Sequence, residues 1–167
     1  PLEDALSSYE RQDYVSAAKG FRLAAEQGDA SAQFNLGEMY AVGQGVLQDY
    51  AEAVKWYRLA AAQGQTLAQF NLGVLYADGQ GGLQDYAEAV KWYRLAAAQG
   101  QTVAQVNLGV LYDNGRGVIQ DYAEAVNGYR LLLLYTSEAA HGLLWSDPDV
   151  PRCLNNEYQP SSRTVIQ

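Results

Sequence analysis

The feature that most constrains the fold of this chain is an internal repeat of 36 residues. The hexapeptide Ala-Gln-Phe-Asn-Leu-Gly begins at Ala32 and at Ala68, and a copy with Val in place of Phe begins at Ala104. Residues 32–67 and 68–103 differ at only five of 36 positions. A period of this length is typical of solenoids, in which each repeat buries its apolar face only against its neighbours. The sequence therefore predicts a stacked array.

Each repeat is predicted to contain two helices. The first spans about Ser31 to Ala41 and leads into a glycine-rich loop, where glycine permits a tight reversal of the chain. The second begins at Asp49, which is followed three residues later by Glu52, the spacing of a capping box. Gly64 is placed to end the second helix with a left-handed cap. Between these ends, apolar residues at helical spacing define one buried face. They are Tyr50, Ala53, Tyr57, Ala60 and Ala61.

The two ends of the chain depart from the repeat. Residues 1–29 are predicted to form a degenerate N-terminal capping repeat, because the second-helix pattern is present but the glycine loop is missing. The regular array is predicted over 30–135, with helix pairs at about 30–64, 65–100 and 101–135. Residues 136–167 are predicted to form an atypical C-terminal cap and irregular tail, since a terminal repeat must cover an exposed apolar face. The residues expected to pack back on the array are Leu143, Leu144 and Trp145.

Composition and charge exclude several classes of function. The net charge is −8, with 19 acidic against 11 basic residues, so no nucleic-acid partner is expected. No run approaches the roughly 20 apolar residues of a membrane span, so no membrane insertion is expected. Cys153 and His141 are single, and neither a disulfide framework, a metal site nor a cofactor is predicted. Acidic residues such as Glu38 and Asp113 recur with no base or nucleophile, and the chain is not predicted to be an enzyme.

The repeated motif resembles that of a known family. Ala-Gln-x-x-Leu-Gly-x-x-Tyr, a glycine-rich loop and Asp-Tyr-x-Glu-Ala-x-x-Trp-Tyr-x-x-Ala-Ala-x-x-Gly are similar to the Sel-one-like repeat (SLR), a relative of the tetratricopeptide repeat, over about residues 2–135. The resemblance implies an all-α fold, a right-handed α-solenoid (superhelix) of stacked antiparallel helix hairpins. It also implies a scaffold or adaptor in bacterial envelope or host-interaction biology. One cysteine-rich subgroup is linked to β-lactam or peptidoglycan-like ligands, but the array lacks its cysteine pairs.

Localisation follows from the resemblance alone. Members of the family are often exported, which implies a periplasmic or secreted protein. A cytoplasmic location is the alternative. The chain begins at Pro1 without Met, so we expect a processed or trimmed form in which any signal peptide is missing.

By resemblance to tetratricopeptide domains, the first helices line a concave groove. Asn35, Asn71 and Asn107 recur one repeat apart, and their amides could pair with the backbone of a bound peptide. In the alternative interpretation, each Asn binds the backbone of a neighbouring repeat. Trp56 and Trp92 are predicted to pack between repeats rather than to bind a ligand. The predicted partner-binding residues are Phe34, Asn35, Glu38, Phe70, Asn71, Val74, Asp78, Val106, Asn107 and Val110, with Val42 and Asn114 at the same helical positions.

The predicted function is that of a protein–protein interaction scaffold, which binds a partner protein or an extended peptide in the concave groove. Two alternatives stay open: a binding module for cell-wall (peptidoglycan-like) fragments and a purely structural spacer. The sequence does not indicate the oligomeric state.

Overall fold

The computed structural model describes residues 1–135, with side chains through Arg130. This part of the chain contains eight α-helices and no β-strand, and each helix packs against the next in sequence. The predicted all-α array of stacked helix pairs is thereby confirmed. The elements are α1 (Leu2–Glu10), α2 (Tyr14–Glu26), α3 (Ala30–Val42), α4 (Tyr50–Ala62), α5 (Thr66–Asp78), α6 (Tyr86–Ala98), α7 (Thr102–Asn114) and α8 (Tyr122–Tyr135). We call α3, α5 and α7 the first helices, and α4, α6 and α8 the second helices.

The second helices begin at the predicted aspartates, but the capping box is only half formed. The Asp49 carboxylate accepts from the backbone N–H of Ala51 and of Glu52, at 2.9 and 3.1 Å. Glu52 does not reach back to Asp49, and that half of the prediction is wrong. The Asp49 N–H already donates to the Tyr40 carbonyl at 2.9 Å, and Glu52 instead accepts from the Trp56 indole N–H at 3.2 Å.

The first helices begin at caps that the sequence analysis did not identify. Gln65 and Gln101 precede α5 and α7, and their side-chain oxygens accept from the backbone N–H of Ala68 and Ala104, at 2.8 and 3.1 Å. Asp29 performs the same role for α3. The usual N-cap residues are Ser, Thr, Asp and Asn, so a Gln before a helix does not by itself predict an N-cap.

Helices α4 and α6 end in the left-handed glycines that the sequence predicts, Gly64 and Gly100. Gly64 has φ +88° and its N–H donates to the Ala61 carbonyl at 3.0 Å, while the Gln65 N–H donates to Ala60 at 3.1 Å. This pair of bonds is a Schellman motif, which satisfies carbonyls left free at the helix end.

Within each repeat the two helices approach closely at a glycine of the first helix. A Cβ atom added at Gly73 would lie 2.6 Å from the ring of Tyr93, and one added at Gly37 would lie 2.7 Å from the ring of Tyr57. No side chain fits at either position without displacing the tyrosine, because contacts under 3.0 Å are repulsive. These tyrosine rings therefore pack directly against the backbone of the first helix.

Among the residues whose side chains the structure describes, the core forms three clusters along the array rather than one centre. Trp56 of α4 belongs to the cluster formed by α1, α2 and α3, and Trp92 of α6 belongs to the cluster of α4 and α5. Their exposed fractions are only 5% and 8%. Both indoles therefore pack between successive units, as predicted, and are not open ligand platforms.

Glutamines add a polar connection between successive repeats. Gln63 donates to the Gln33 side chain at 2.8 Å and to the Gly28 carbonyl at 3.0 Å, and Gln33 donates to the Ala25 carbonyl at 3.1 Å. Gln99 and Gln69 repeat these contacts one unit later. Because buried amides must find partners, this network favours one alignment of each repeat on the next.

No helix within residues 1–135 is long and apolar enough to cross a membrane. The prediction that Leu143, Leu144 and Trp145 cover the last repeat, like that of an irregular tail over 136–167, lies outside the described residues.

Candidate functional site

The ten residues predicted to bind a partner all lie on first helices, α3, α5 and α7. Nine of them are half-buried, and Asp78, the last residue of α5, is exposed. We call this set the first-helix row. It comprises Phe34, Asn35, Glu38, Phe70, Asn71, Val74, Asp78, Val106, Asn107 and Val110.

The structure brings two members of the row together around a tyrosine. Glu38 Oε1 accepts from the Tyr57 hydroxyl and from Asn71 Nδ2, both at 2.5 Å, and Asn71 Nδ2 lies 3.3 Å from the same hydroxyl. These residues come from α3, α4 and α5, so the cluster connects one repeat to the next. Burial, followed by the hydrogen bond to Glu38, raises the pKa of Tyr57 well above its ordinary value.

The following interface has the same tyrosine and asparagine without the carboxylate. Asn107 Nδ2 donates to the Tyr93 hydroxyl at 3.3 Å, and Val74 occupies the place of Glu38. The pKa of Tyr93 is raised to about 12. Burial is the largest cause; the Asn107 hydrogen bond opposes it, and the Asp78 charge adds to it. Both tyrosines thus stay protonated and neutral at physiological pH.

Asn35 differs from the other two asparagines. The residue 14 positions before it is Phe21, which has no hydroxyl, whereas Tyr57 and Tyr93 stand 14 positions before Asn71 and Asn107. Within residues 1–135 the Asn35 side chain makes no hydrogen bond, nor does the Oδ1 atom of Asn71 or Asn107. The alternative of backbone bonding is therefore wrong in detail, because the partners are side chains of the preceding repeat.

The aromatic members of the row rest on the same tyrosines. The ring centroids of Phe34 and Tyr57 are 5.9 Å apart, and those of Phe70 and Tyr93 are 6.0 Å apart. Each phenylalanine keeps part of its ring exposed. The apolar spacing predicts that Tyr57 and its equivalent Tyr93 lie in the core, but it does not predict their contacts with the asparagines. The constant spacing of 14 residues between Tyr and Asn was the signal that could have revealed them.

A cavity of about 490 Å³ is lined by residues of α6, α7 and α8, none of which belongs to the first-helix row. Its lining includes Leu108, Tyr112, Asn127 and Gly128. Gly128 stands where the two preceding repeats have Trp56 and Trp92, so this repeat lacks the indole that those two bury. No group of three or more potential metal ligands occurs in the described part of the chain.

The stacked helix pairs, with equivalent residues on successive first helices, define an α-helical repeat protein of the solenoid class. The sequence matches the Sel1 repeat over residues 7–29, 30–65, 66–101 and 102–127, and the chain belongs to this family. None of the curated proteins compared with the chain matches it.

Solved structures of bacterial proteins show the same fold. One is c5321, a protective antigen of uropathogenic Escherichia coli with an SLR fold; it is 42% identical, with TM-score 0.77, and the match covers 87% of this chain and 31% of that one. A Sel1 repeat protein from Oxalobacter formigenes is 32% identical, with TM-score 0.74 and coverage of 92% and 64%. Helicobacter pylori cysteine rich protein B is 21% identical, with TM-score 0.54 and coverage of 75% and 96%, a likeness of fold alone. The chain thus spans less than two thirds of the first two relatives.

Proposed function

We propose that the chain is an interaction module that binds an extended segment of a partner protein along the first-helix row. The observation that carries the proposal is the recurrence of one half-buried pair, an apolar residue followed by Asn, at the same position of three successive first helices. These pairs are Phe34 with Asn35, Phe70 with Asn71, and Val106 with Asn107.

The tyrosine contacts support this role because they hold the pair in a fixed geometry. Phe70 rests on Tyr93, and the Asn71 amide nitrogen is held by Glu38 and Tyr57. The Oδ1 atom of Asn71 accepts nothing from residues 1–135 and can accept a peptide N–H. Prior immobilisation of these groups lowers the entropy lost on binding.

The apolar residues must supply most of the affinity. A single hydrogen bond contributes only about 0.5–1.5 kcal/mol net, whereas complete burial of a phenylalanine side chain contributes about 1.5–3 kcal/mol. Because Phe34 and Phe70 are already half-buried, each can gain about half of that value when a partner covers it. We propose a partner with apolar residues at intervals that match the repeat, in envelope or host-contact biology; the E. coli relative, described as a protective antigen, supports that setting.

The test begins with a probe selected on the native chain. Twelve-residue peptides displayed on phage are selected against it, and the tightest binder is synthesised. The informative variant is Asn35→Ala, because the Asn35 side chain makes no hydrogen bond within residues 1–135 and its loss should leave the melting temperature unchanged. We expect weaker binding of the peptide by Asn35→Ala, and still weaker binding by Phe70→Ala.

Two outcomes would contradict the proposal. One is a selected peptide whose affinity is the same for the native chain, Asn35→Ala and Phe70→Ala. The other is a failure to select any binder while muropeptides quench the tryptophan fluorescence of the native chain, which would favour the cell-wall alternative. The matched control is Leu67→Ala, an exposed apolar residue of α5 outside the row, which should bind the peptide normally.

A further inference from the structure

A second repeated surface lies in the loops between the first and second helix of each repeat. Leu47, Leu83 and Ile119 occupy the same loop position, 36 residues apart, and their exposed fractions are 90%, 92% and 91%. We call these three residues the loop-tip row. Single exposed leucines are ordinary on protein surfaces, but a series of large aliphatic side chains presented at one edge marks an interaction site.

The loops that carry the tips are fixed on their N-terminal side by the preceding repeat. Gly81 has φ +80°, and a Cβ atom added to it would lie 2.5 Å from the Tyr50 carbonyl oxygen at the start of α4. Gly45 and Gly117 lie similarly close to the backbone carbonyl groups of Tyr14 and Tyr86. Only glycine allows this contact, so each loop rests on the second helix of the unit before it.

On the C-terminal side, the loops are held by the first helix of their own repeat. Gln48 donates to the Ala41 carbonyl at 2.7 Å, and Gln84 donates to the Ala77 carbonyl at 2.6 Å. Gln120 repeats the contact at 2.6 Å from the Asp113 carbonyl. The tip residue lies between these two anchors, and its side chain is exposed to solvent. Such preorganisation lowers the entropic cost of docking.

The charges beside the tips indicate which partner fits. Asp49, Asp85 and Asp121 follow the tips by two residues, and all three carboxylates are exposed. The one basic residue among the three loops is Arg116, which lies over the ring of Tyr86, 5.3 Å from its centroid. An anionic bilayer would be repelled by this edge and by the net charge of −8, and a second copy would bring like charges together.

We propose that the loop-tip row docks a partner protein through an amphipathic segment that carries aliphatic residues beside Lys or Arg. The aliphatic residues contact Leu47, Leu83 and Ile119, and the basic residues lie against the neighbouring aspartates. This surface is separate from the first-helix row, so the array holds two different partner segments, or two parts of one partner, on distinct faces.

The test uses a labelled 18-residue amphipathic peptide of Leu and Lys as the probe, with fluorescence anisotropy at 150 mM salt. The triple variant Leu47→Ala, Leu83→Ala and Ile119→Ala should bind it at least about tenfold more weakly than the native chain, since the apolar area on the protein is lost. The matched control is Leu23→Ala, Leu59→Ala and Leu95→Ala, three partly exposed leucines of α2, α4 and α6, which should bind within about twofold of native. A peptide with Ser in place of Leu should not distinguish the proteins.

The loop-tip substitutions should leave folding intact because the side chains make almost no contact with the protein, and Leu83→Ser alone gives a second, milder variant. Equal affinity of the native chain and the loop-tip variant for the Leu/Lys peptide would overturn the proposal. Two other results would also overturn the proposal. If the native chain floats with anionic or zwitterionic vesicles and the loop-tip variant does not, the row binds a membrane. If the native chain dimerises and the loop-tip variant does not, the row binds a second copy of the chain. The loop-tip variant leaves every residue of the first-helix row unchanged, so this test fails or succeeds independently of that row.

Discussion

Replacing Tyr57 with Phe measures how much the Glu38 carboxylate adds to one repeat interface. The Tyr57 hydroxyl donates to Glu38 at 2.5 Å, whereas the Tyr93 hydroxyl accepts only from the neutral amide of Asn107, at 3.3 Å. Hydrogen bonds to charged groups contribute about 1.5–3 kcal/mol and neutral ones about 0.5–1.5 kcal/mol. We expect Tyr57→Phe to lower the free energy of unfolding by about 2 kcal/mol and Tyr93→Phe by about 1 kcal/mol.

The comparison is well matched because both tyrosines are buried and both pack on a first-helix glycine and on a phenylalanine. Unfolding would be followed by circular dichroism in urea at pH 7. A third variant, Glu38→Val, copies Val74 of the next repeat into the first. In that background, Tyr57→Phe should cost no more than Tyr93→Phe, since the carboxylate that distinguished the two interfaces is gone.

Equal losses from Tyr57→Phe and Tyr93→Phe in the native background would refute this reasoning. They would show that desolvation of Glu38 cancels the gain from its short hydrogen bonds, as occurs in many buried ionic contacts. If Tyr57→Phe still costs about 2 kcal/mol in the Glu38→Val background, the extra loss comes from packing rather than from the charge of Glu38.

Three further predictions concern stability. Asp85→Ala should lower the free energy of unfolding by about 1 kcal/mol, because the carboxylate accepts from the Glu88 N–H at 3.0 Å; an unchanged urea midpoint would show that the cap is dispensable. Gly73→Ala should cost about 1–3 kcal/mol, since the added methyl would lie 2.6 Å from the Tyr93 ring, whereas Gly82→Ala, with open space around it, should cost far less. Stability should fall as pH rises above 10, because unfolded tyrosine loses its proton at a pKa of 10.0 while native Tyr93 keeps it to about 12. Tyr93→Phe should make the decline between pH 10 and 12 shallower, and parallel curves would contradict it.

The repeat architecture was predictable because its signals are local and recur. Asp49, Gly64 and the apolar spacing of Tyr57 and Ala60 each act within one helix or its ends, and the structure shows the expected consequences. The Glu52 error has a different origin. Whether its carboxylate bonds to Asp49 or to Trp56 depends on the carbonyl of Tyr40 in another helix, which no local pattern reports.

The asparagines show the same limit within the candidate site. Three identical residues at identical positions suggested one repeated role. Asn71 meets both Tyr57 and Glu38, whereas the residue 14 positions before Asn35 is Phe21, which has no hydroxyl. These contacts join different repeats, and they follow from residues 14 and 33 positions earlier in the chain. A comparison of repeats that asks which partner each copy meets would have separated the three asparagines.

The near identity of two repeats gives each remaining difference a clear meaning. Of the five positions at which residues 32–67 and 68–103 differ, two fall on the predicted binding face of the first helices: Glu38 becomes Val74, and Val42 becomes Asp78. The first repeat therefore carries its carboxylate in the middle of the first helix, and the second carries it at the last residue of the helix. The cores of the two repeats stay alike while the position of the carboxylate changes, so the two ends of the first-helix row differ in charge. In the proposed complex, a basic residue of the bound segment would pair with one of these carboxylates and thereby set the orientation of the segment.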